Sequence, residues 1–335
     1  MILAGDIGGT KTVLALFERS QPEGALRVVR ESRFASAEHA GLDDIVQAFL
    51  AAGSERHPPT AACFGVAGPV DGGRARITNL PWTIDAGALA ARFGLTEVVL
   101  LNDLQAAAYG ALTLPPESLA VLQSGASGPT TSARSAGTIA VIAPGTGLGE
   151  AILYWDGSRH HALASEGGHA DFAPMTEREA RLLTFLSARH DGHVSWERVL
   201  SGAGLGNIYD FLREVEGLDE PAALSARLAS GDRNAAISIA ALEGTFPIAS
   251  EALAMFVTLL GAEAGNLALK CFAQGGIVIA GGIPAKIMAA LQDGRFVERL
   301  HDKGRFGAWL ATLPVTVALD PRAPLLGAAH HIATR

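Results

Sequence analysis

Apolar residues in the first part of the chain fall into short runs separated by glycine-bearing turns and by stretches of helical spacing. Ile2 to Asp6 predicts a strand, Gly8-Gly9-Thr10 a turn and Val13 to Phe17 a returning strand, so the chain opens on a hairpin. A third strand is expected over Leu26 to Phe34, and Leu42 to Ala52 has the spacing of an amphipathic helix. The run from Ala61 to Val66 reads as a central buried strand that ends at a Gly68-Pro69 turn. After a polar hairpin, Asp85 is placed to cap a helix through Phe93. Val98-Val99-Leu100-Leu101 is apolar at every position, as in a strand buried on both faces, and the Ala-rich run after Asp103 predicts a tightly packed helix. Three strands, helix, strand, helix, strand, helix is an α/β pattern.

Leu114-Pro115-Pro116 interrupts that pattern, and a Gly/Ser/Thr-rich stretch from Ser124 to Gly137 reads as a mobile surface loop. Order resumes with a strand at Thr138 to Ala143, a second glycine turn at Gly145-Thr146-Gly147 and another strand. Two such strand–turn–strand units imply two domains of related architecture, each contributing one loop to a cleft. A helix is expected over Thr176 to Arg189, and residues 202–273 are helical by pattern, with Gly231-Asp232 as the break. Gly276 to Ala280 predicts a buried strand ending in Gly281-Gly282, and a strand from Val315 to Leu319 and a helix from Pro324 to Ala333 close the chain.

Composition narrows the partners. A chain of 335 residues suits two domains, and 49% hydrophobic residues require both to be compact. The formal net charge of −8, with no basic run, argues against nucleic acid and an anionic membrane surface as partners and favours a small molecule. Two cysteines far apart, Cys63 and Cys271, provide no redox or zinc framework and suit a reducing interior, so both are expected to be core thiols. The start lacks a positive n-region and meets Asp6 early, which predicts no signal peptide and a cytoplasmic protein. The apolar segment Ala252 to Ala262, bounded by Glu251 and Glu263, is shorter than the ~20 residues of a membrane span and is expected to be a core helix.

The candidate chemistry lies at strand ends. Asn102-Asp103 falls where a buried strand hands over to a helix, at the sheet edge where α/β proteins bind ligands. A carboxylate there suits a base on a substrate hydroxyl, and equally an ordinary N-cap. Gly8-Gly9-Thr10 and Gly145-Thr146-Gly147 can turn backbone N–H groups toward phosphates without a Cβ in the way. Neither is a known helix-linked phosphate fingerprint: Thr10 replaces the glycine that precedes the Walker lysine, and the glycines at 145, 147 and 149 miss the dinucleotide spacing. Asn79, in Ile77-Thr78-Asn79-Leu80-Pro81-Trp82, stands beside an indole, a combination that suits a polyhydroxylated ligand and equally a loop anchored by a buried Trp. Glu166 and His169 share a turn suited to hydrogen-bonding a ligand, without the partners of a zinc motif. Ser195 is placed to cap a short helix carrying Glu197, and His160-His161 reads as a surface pair. Paired glycines at Gly281-Gly282 allow close approach of a flat group such as adenine.

Taken together these motifs resemble the bacterial glucokinases of the hexokinase, actin and Hsp70-like ATPase superfamily. Gly5-Asp6-Ile7-Gly8-Gly9-Thr10 is similar to that superfamily's first phosphate motif, Gly65 to Val70 to its first connecting segment, Gly145 to Gly149 to its second phosphate motif and Gly281-Gly282 to its adenosine motif. Leu101-Asn102-Asp103, Glu166-Gly167-Gly168-His169 and Glu197 to Gly202 resemble segments of the sugar kinase branch. The resemblance implies two RNase H-like domains closing on a sugar from either side of a cleft. It places a small domain at residues 1–113, completed by 319–335, and a large one at 114–318. It also implies ATP and Mg²⁺ as cofactors, glucose as substrate, Asp103 as the base on the sugar 6-hydroxyl, and Asn102, Glu166, His169 and Glu197 on the other hydroxyls. Mg²⁺ is expected to travel with ATP and to lie near Asp6, with no metal held tightly by the protein itself, and the expected assembly is a homodimer. A broader hexokinase or glucomannokinase, and a non-catalytic sugar sensor, are the alternative readings. With Gly5 opening the first phosphate motif, no helix-turn-helix of a DNA-binding sensor is expected ahead of it, and a retaining glycosidase has no use for two phosphate hairpins.

Overall fold

The computed structural model describes residues 1–19, 26–55, 57–126 and 136–335, so the expected loop from Ser124 to Gly137 lies largely outside the described residues. The first part of the chain forms β1 (Ile2–Ile7), β2 (Lys11–Arg19), β3 (Leu26–Ala35), α1 (Leu42–Ala51) and β4 (Ala61–Val66). Three short strands follow, β5 (Val70–Asp71), β6 (Arg74–Arg76) and β7 (Thr83–Asp85), then α2 (Ala86–Phe93), β8 (Glu97–Asn102) and α3 (Asp103–Ala111). The middle adds β9 (Leu119–Gln123), β10 (Ile139–Pro144), β11 (Leu148–Trp155), β12 (His160–Ser165), α4 (Glu177–Ser187), α5 (Gly202–Glu214), α6 (Ala222–Leu228), α7 (Arg233–Glu243) and α8 (Pro247–Cys271). Last come β13 (Gly276–Ile279), α9 (Met288–Leu291), α10 (Arg295–His301), α11 (Gly307–Leu310), β14 (Val315–Ala318) and α12 (Ala323–Ala333).

The chain divides into two compact units: Met1–Pro115 with Ala162–Ala164 and Asp320–Arg335, and Pro116–His161 with Ser165–Leu319. Ala162 joins the first unit because its N–H donates to Tyr109 Oη (3.0 Å) and its carbonyl accepts from Gln105 Nε2 (2.9 Å). No pattern in the sequence announces that excursion.

In the first unit the strand order is β3-β2-β1-β4-β8. β1 pairs antiparallel with β2 and parallel with β4, and β4 runs parallel to β8. The central strand is apolar on both faces, with Leu3, Ala4 and Ile7 fully buried, and α1 adds Ile45, Val46 and Phe49 to the same core. The polar hairpin is β5 and β6, which gains β7 as a third strand. Asp85 then caps α2 by accepting from the Ala88 N–H (3.0 Å), as the sequence predicts. Helices α3 and α12 meet backbone to backbone: a Cβ on Gly110 would collide with the Ala323 carbonyl, and one on Gly327 with the Ala106 carbonyl.

The second unit repeats this order and adds an edge strand: β12-β11-β10-β13-β14-β9. β10 pairs antiparallel with β11 and parallel with β13, β13 runs parallel to β14, and β9 closes the edge antiparallel to β14. Strand β9 is missed by the sequence pattern, since five residues between a Pro-Pro break and a Gly/Ser-rich stretch become a strand only where β14 offers its open edge.

The expected helical region 202–273 is four helices, α5 to α8, and Gly231-Asp232 is only one of its breaks. Gly217 (φ 71°) and Gly244 (φ 70°) turn the chain at the others, in a left-handed conformation that glycine adopts without strain. Helix α8 is the core helix expected at Ala252 to Ala262, but it runs on through Glu251 and Glu263, so its length alone does not exclude a membrane span. By length and composition its 25 residues could cross a membrane, but 78% of its most apolar window is buried within the protein, as in the core helix of a globular unit. His160 and His161 are not a simple surface pair: they alternate along β12, with His160 against Trp155 (4.8 Å between ring centroids) and His161 bonded to Asp156 Oδ2 (2.6 Å). Cys63 and Cys271 are free thiols, Cys63 buried and Cys271 half-buried.

Because the groups facing Gly327 are backbone atoms that cannot swing aside, Gly327→Ala is expected to lower unfolding stability by about 1–3 kcal/mol. Urea unfolding should show an earlier midpoint at an unchanged slope.

Candidate active site

In the first unit the site begins where β1 turns into β2. The Gly8 N–H donates to the Lys11 carbonyl (3.0 Å), which closes the turn. Ser36, which the sequence reading missed, braces it: Ser36 Oγ donates to the Gly8 carbonyl (2.8 Å) and lies 3.0 Å from Thr12 Oγ1, and its N–H donates to the Thr10 carbonyl (3.1 Å). Nothing local marks Ser36, because it reaches the turn only after β3 has paired with β2. Within the phosphate motif, Gly5 packs against Leu14 and Phe64, and Ile7 is fully buried with its carbonyl accepting from Ala67 N–H (2.9 Å). The turn itself is therefore Gly8, Gly9 and Thr10, with Asp6 just before it.

Burial pushes the Asp6 carboxyl up to about 6, Lys11 opposes that shift and Asp103 adds to it. The three side chains share one electrostatic neighbourhood. Asp103 is the first residue of α3, and Asn102 is its cap. Asn102 Oδ1 (2.9 Å) and Asp103 Oδ1 (2.8 Å) both accept from the Leu104 N–H, and Gln105 Oε1 accepts from the Asn102 N–H (3.1 Å) to complete a capping box. So the N-cap expected at this junction exists but belongs to Asn102, and Asp103 sits in the first turn, where the helix terminus stabilises negative charge. Gly65 allows the approach: a Cβ there would press on Ala106 and lie 3.9 Å from Asp103 Cα.

Asn102 Nδ2 donates to the Gly68 carbonyl (3.4 Å), which ties α3 to the Gly68-Pro69 turn. Asn79 lies nearby in sequence and space, in a left-handed conformation (φ 66°) that asparagine tolerates. A Cβ on Gly9 would lie 3.0 Å from the Thr78 carbonyl and 3.7 Å from Asn79 Cβ. Asn79 also lines an open depression of about 450 Å³ with Pro69, Arg76, Ile77, Thr78 and Leu80.

In the second unit the corresponding turn follows β10. The Gly145 N–H donates to the Gly147 carbonyl (2.8 Å), and Gly202 N–H donates to the Gly145 carbonyl (2.9 Å). Glu197 is anchored on this turn: its Oε2 accepts from the Leu148 N–H (2.9 Å) and fills the place a Cβ on Gly147 would take. Ser195 makes no side-chain cap to the short helical turn Trp196–Arg198, so the expected cap is corrected. Ser201 caps α5 instead, accepting from the Gly204 N–H (3.0 Å).

The Glu166–His169 turn rests on β11, with Gly168 against the Leu148 carbonyl and Gly167 against the Glu150 carboxylate. His169 Nε2 and Glu166 Oε2 are 3.9 Å apart, and both side chains are exposed. The Trp196 N–H donates to the Ala170 carbonyl (2.9 Å), which holds the Glu197 segment beside this turn. Gly281 (φ 92°) sits at the end of β13 against the Pro144 carbonyl, and Gly282 has open space where a side chain would project. The second unit thus brings Gly145, Thr146 and Gly147, the Glu166–His169 turn, Glu197 and Gly281-Gly282 to the ends of β10 and β13.

A family model described as Glucokinase matches residues 3–335. The chain belongs to the glucokinase family. It is 39% identical to the glucokinase of Nostoc sp. over 98% of both chains. The crystal structure of glucokinase from an Antarctic psychrotroph covers 100% of this chain and 99% of its own, at 32% identity and a TM-score of 0.86. A ROK family glucokinase from Streptomyces griseus, solved in complex with glucose and AMPPNP, shares the fold at 23% identity and a TM-score of 0.63, covering 98% of this chain and 97% of its own. The RNase H-like, actin-like ATPase fold class expected from the motifs is therefore the fold of this family member.

The electrostatics of its first turn are directly testable by carbon-detected NMR titration. The Asp6 carboxyl should titrate near 6. Lys11→Met should move that midpoint up, because a cation that favours the ionised form is gone, and Asp103→Asn should move it down.

Proposed function

We propose that this glucokinase-family member transfers the terminal phosphoryl group of ATP to the 6-hydroxyl of glucose, with Asp103 as the base. The observation that carries the assignment is the carboxylate of Asp103, fixed by the Leu104 N–H at the first turn of α3, directly beyond β8, which is an edge strand with Val98 and Val99 half-buried rather than the strand buried on both faces that its apolar run predicts. Phosphoryl transfer demands in-line positioning, neutralisation of charge and a base at the attacking oxygen, and little covalent chemistry from the protein.

Asp103 accepts the proton of the 6-hydroxyl as that oxygen attacks phosphorus. Asn79, Asn102, Glu166, His169 and Glu197 bind the remaining hydroxyls. A site built from such paired groups rejects a wrong epimer, because it leaves buried donors or acceptors unpaired. In Glu197 one oxygen holds the Leu148 N–H, so the same carboxylate orients the second phosphate turn and the sugar. The Gly8 and Gly145 N–H groups close their turns, which leaves the N–H groups of Gly9, Thr10, Thr146 and Gly147 for the phosphates, and Gly281-Gly282 leaves room for the adenosine.

Mg²⁺ bound with ATP supplies charge neutralisation on the phosphates. Asp6 fits it: a carboxyl that burial pushes toward protonation is kept ionised by an adjacent cation.

Asp103→Asn is expected to keep much of the glucose affinity and to lose ~10²–10⁴ in kcat, since Asn keeps a hydrogen bond and cannot take the proton. Near-normal turnover in steady-state assays would falsify the base assignment. Glu166→Gln and His169→Ala should each raise the glucose KM while leaving the ATP KM near its starting value. Metal analysis of the chelator-washed protein should find no stoichiometric zinc; zinc that depends on His169 would move that residue from sugar binding to metal ligation.

A further inference from the structure

Strand β11 carries a fully buried acid that neither the motifs nor the mechanism uses. Glu150, three residues beyond Gly147 and opposite Ile142 of β10, is 1% exposed. Its Oε2 lies so close to Gly167 that a Cβ there would take its place, and its buried Oε1 receives no hydrogen bond from any donor among the described residues.

The group facing it from α8 is Glu263, also fully buried. Asn266 Nδ2 donates to Glu263 Oε2 (2.7 Å) and Lys270 Nζ lies 3.2 Å from Glu263 Oε1. Lys303 Nζ in turn donates to Asn266 Oδ1 (2.7 Å). Glu263 is therefore supplied with donors as an anion, whereas Glu150 is not. Two carboxylates cannot both stay ionised in one dry site, and an orphaned buried oxygen is costly. One proton on Glu150, donated to Glu263, resolves both problems.

We propose that Glu150 is a positioning residue for sugar binding: as the neutral acid bonded to Glu263, it supports Gly167 and so holds Glu166 and His169 in their binding geometry. This rests on the reading of Glu166 and His169 as sugar ligands. Burial and Glu263 push the Glu150 carboxyl up to about 8, with Lys270 opposing, so it holds its proton at neutral pH and releases it in mild alkali. The Cys271 thiol on the same helix is pushed up to about 11 and stays neutral over that range. Loss of the proton places a second negative charge against Glu263 and beneath the turn. The binding-competent fraction then falls as pH rises.

The test compares the parent with Glu150→Gln, which keeps a donor to Glu263 and cannot ionise, and with Glu150→Ala, which removes the support. From pH 7 to pH 9 the parent's glucose KM should rise roughly tenfold, as the competent fraction falls through a titration near 8. Glu150→Gln should show a flat profile at close to the parent's neutral value, while Glu150→Ala should have a raised glucose KM throughout and an unchanged ATP KM. Amide exchange of Gly167 to Ala170, measured at pH 9, should be faster in the parent than in Glu150→Gln. This readout stands even if Glu166→Gln and His169→Ala show that the turn does not bind sugar. A Glu150→Gln profile that tracks the parent's alkaline rise, or equal exchange in the two proteins at pH 9, overturns the proposal.

Discussion

The contact on which the first unit depends is the one between α3 and α12, where Gly110 and Gly327 bring two backbones together with no side chain between them. Gly65 of β4 does the same from the sheet side, so α3 is gripped on two faces by groups that cannot change rotamer. A helix held in this way has little freedom to slide, because close-packed interiors answer small displacements with steep repulsion. The place of its first residue, Asp103, is thus set by packing along the whole helix. The capping box of Asn102 and Gln105 then fixes how the chain enters it.

The second unit uses missing side chains to admit carboxylates. Gly147 clears the space taken by Glu197, and Gly167 the space taken by Glu150. Both acids touch the same short stretch of chain, Glu197 through the Leu148 N–H and Glu150 as a residue of β11 itself. The phosphate turn and the Glu166–His169 turn are therefore built on one strand.

Two acids, Asp6 half-buried and Glu150 fully buried, have been driven in the same direction by the same cause and end with different charges. Burial raises both Asp6 and Glu150, but for Asp6 the opposing charge of Lys11 outweighs the carboxylate of Asp103, whereas for Glu150 the carboxylate of Glu263 outweighs the opposing charge of Lys270. The first comes to about 6 and the second to about 8, so at neutral pH Asp6 is mainly ionised and Glu150 mainly protonated. Environments that push two carboxyls apart in this way assign one to charge and the other to hydrogen-bond donation.

Sequence alone determined what depends on neighbours along the chain. The glycine turns, the strand that ends at Asn102, the cap at Asp85 and the family motifs are all local, because φ/ψ preference, capping and periodicity act over a few residues. Tertiary structure decided what depends on residues far apart. Ser36 reaches Gly8 only through the pairing of β2 with β3, and β9 is a strand only because β14 leaves an edge. That α8 stays buried past Glu263 also follows from the fold, since Asn266 and Lys270 partner that acid inside the protein. The same reason hid Glu150: in the sequence it is one acid in an apolar strand, and its protonation follows only from which acid the fold places opposite it.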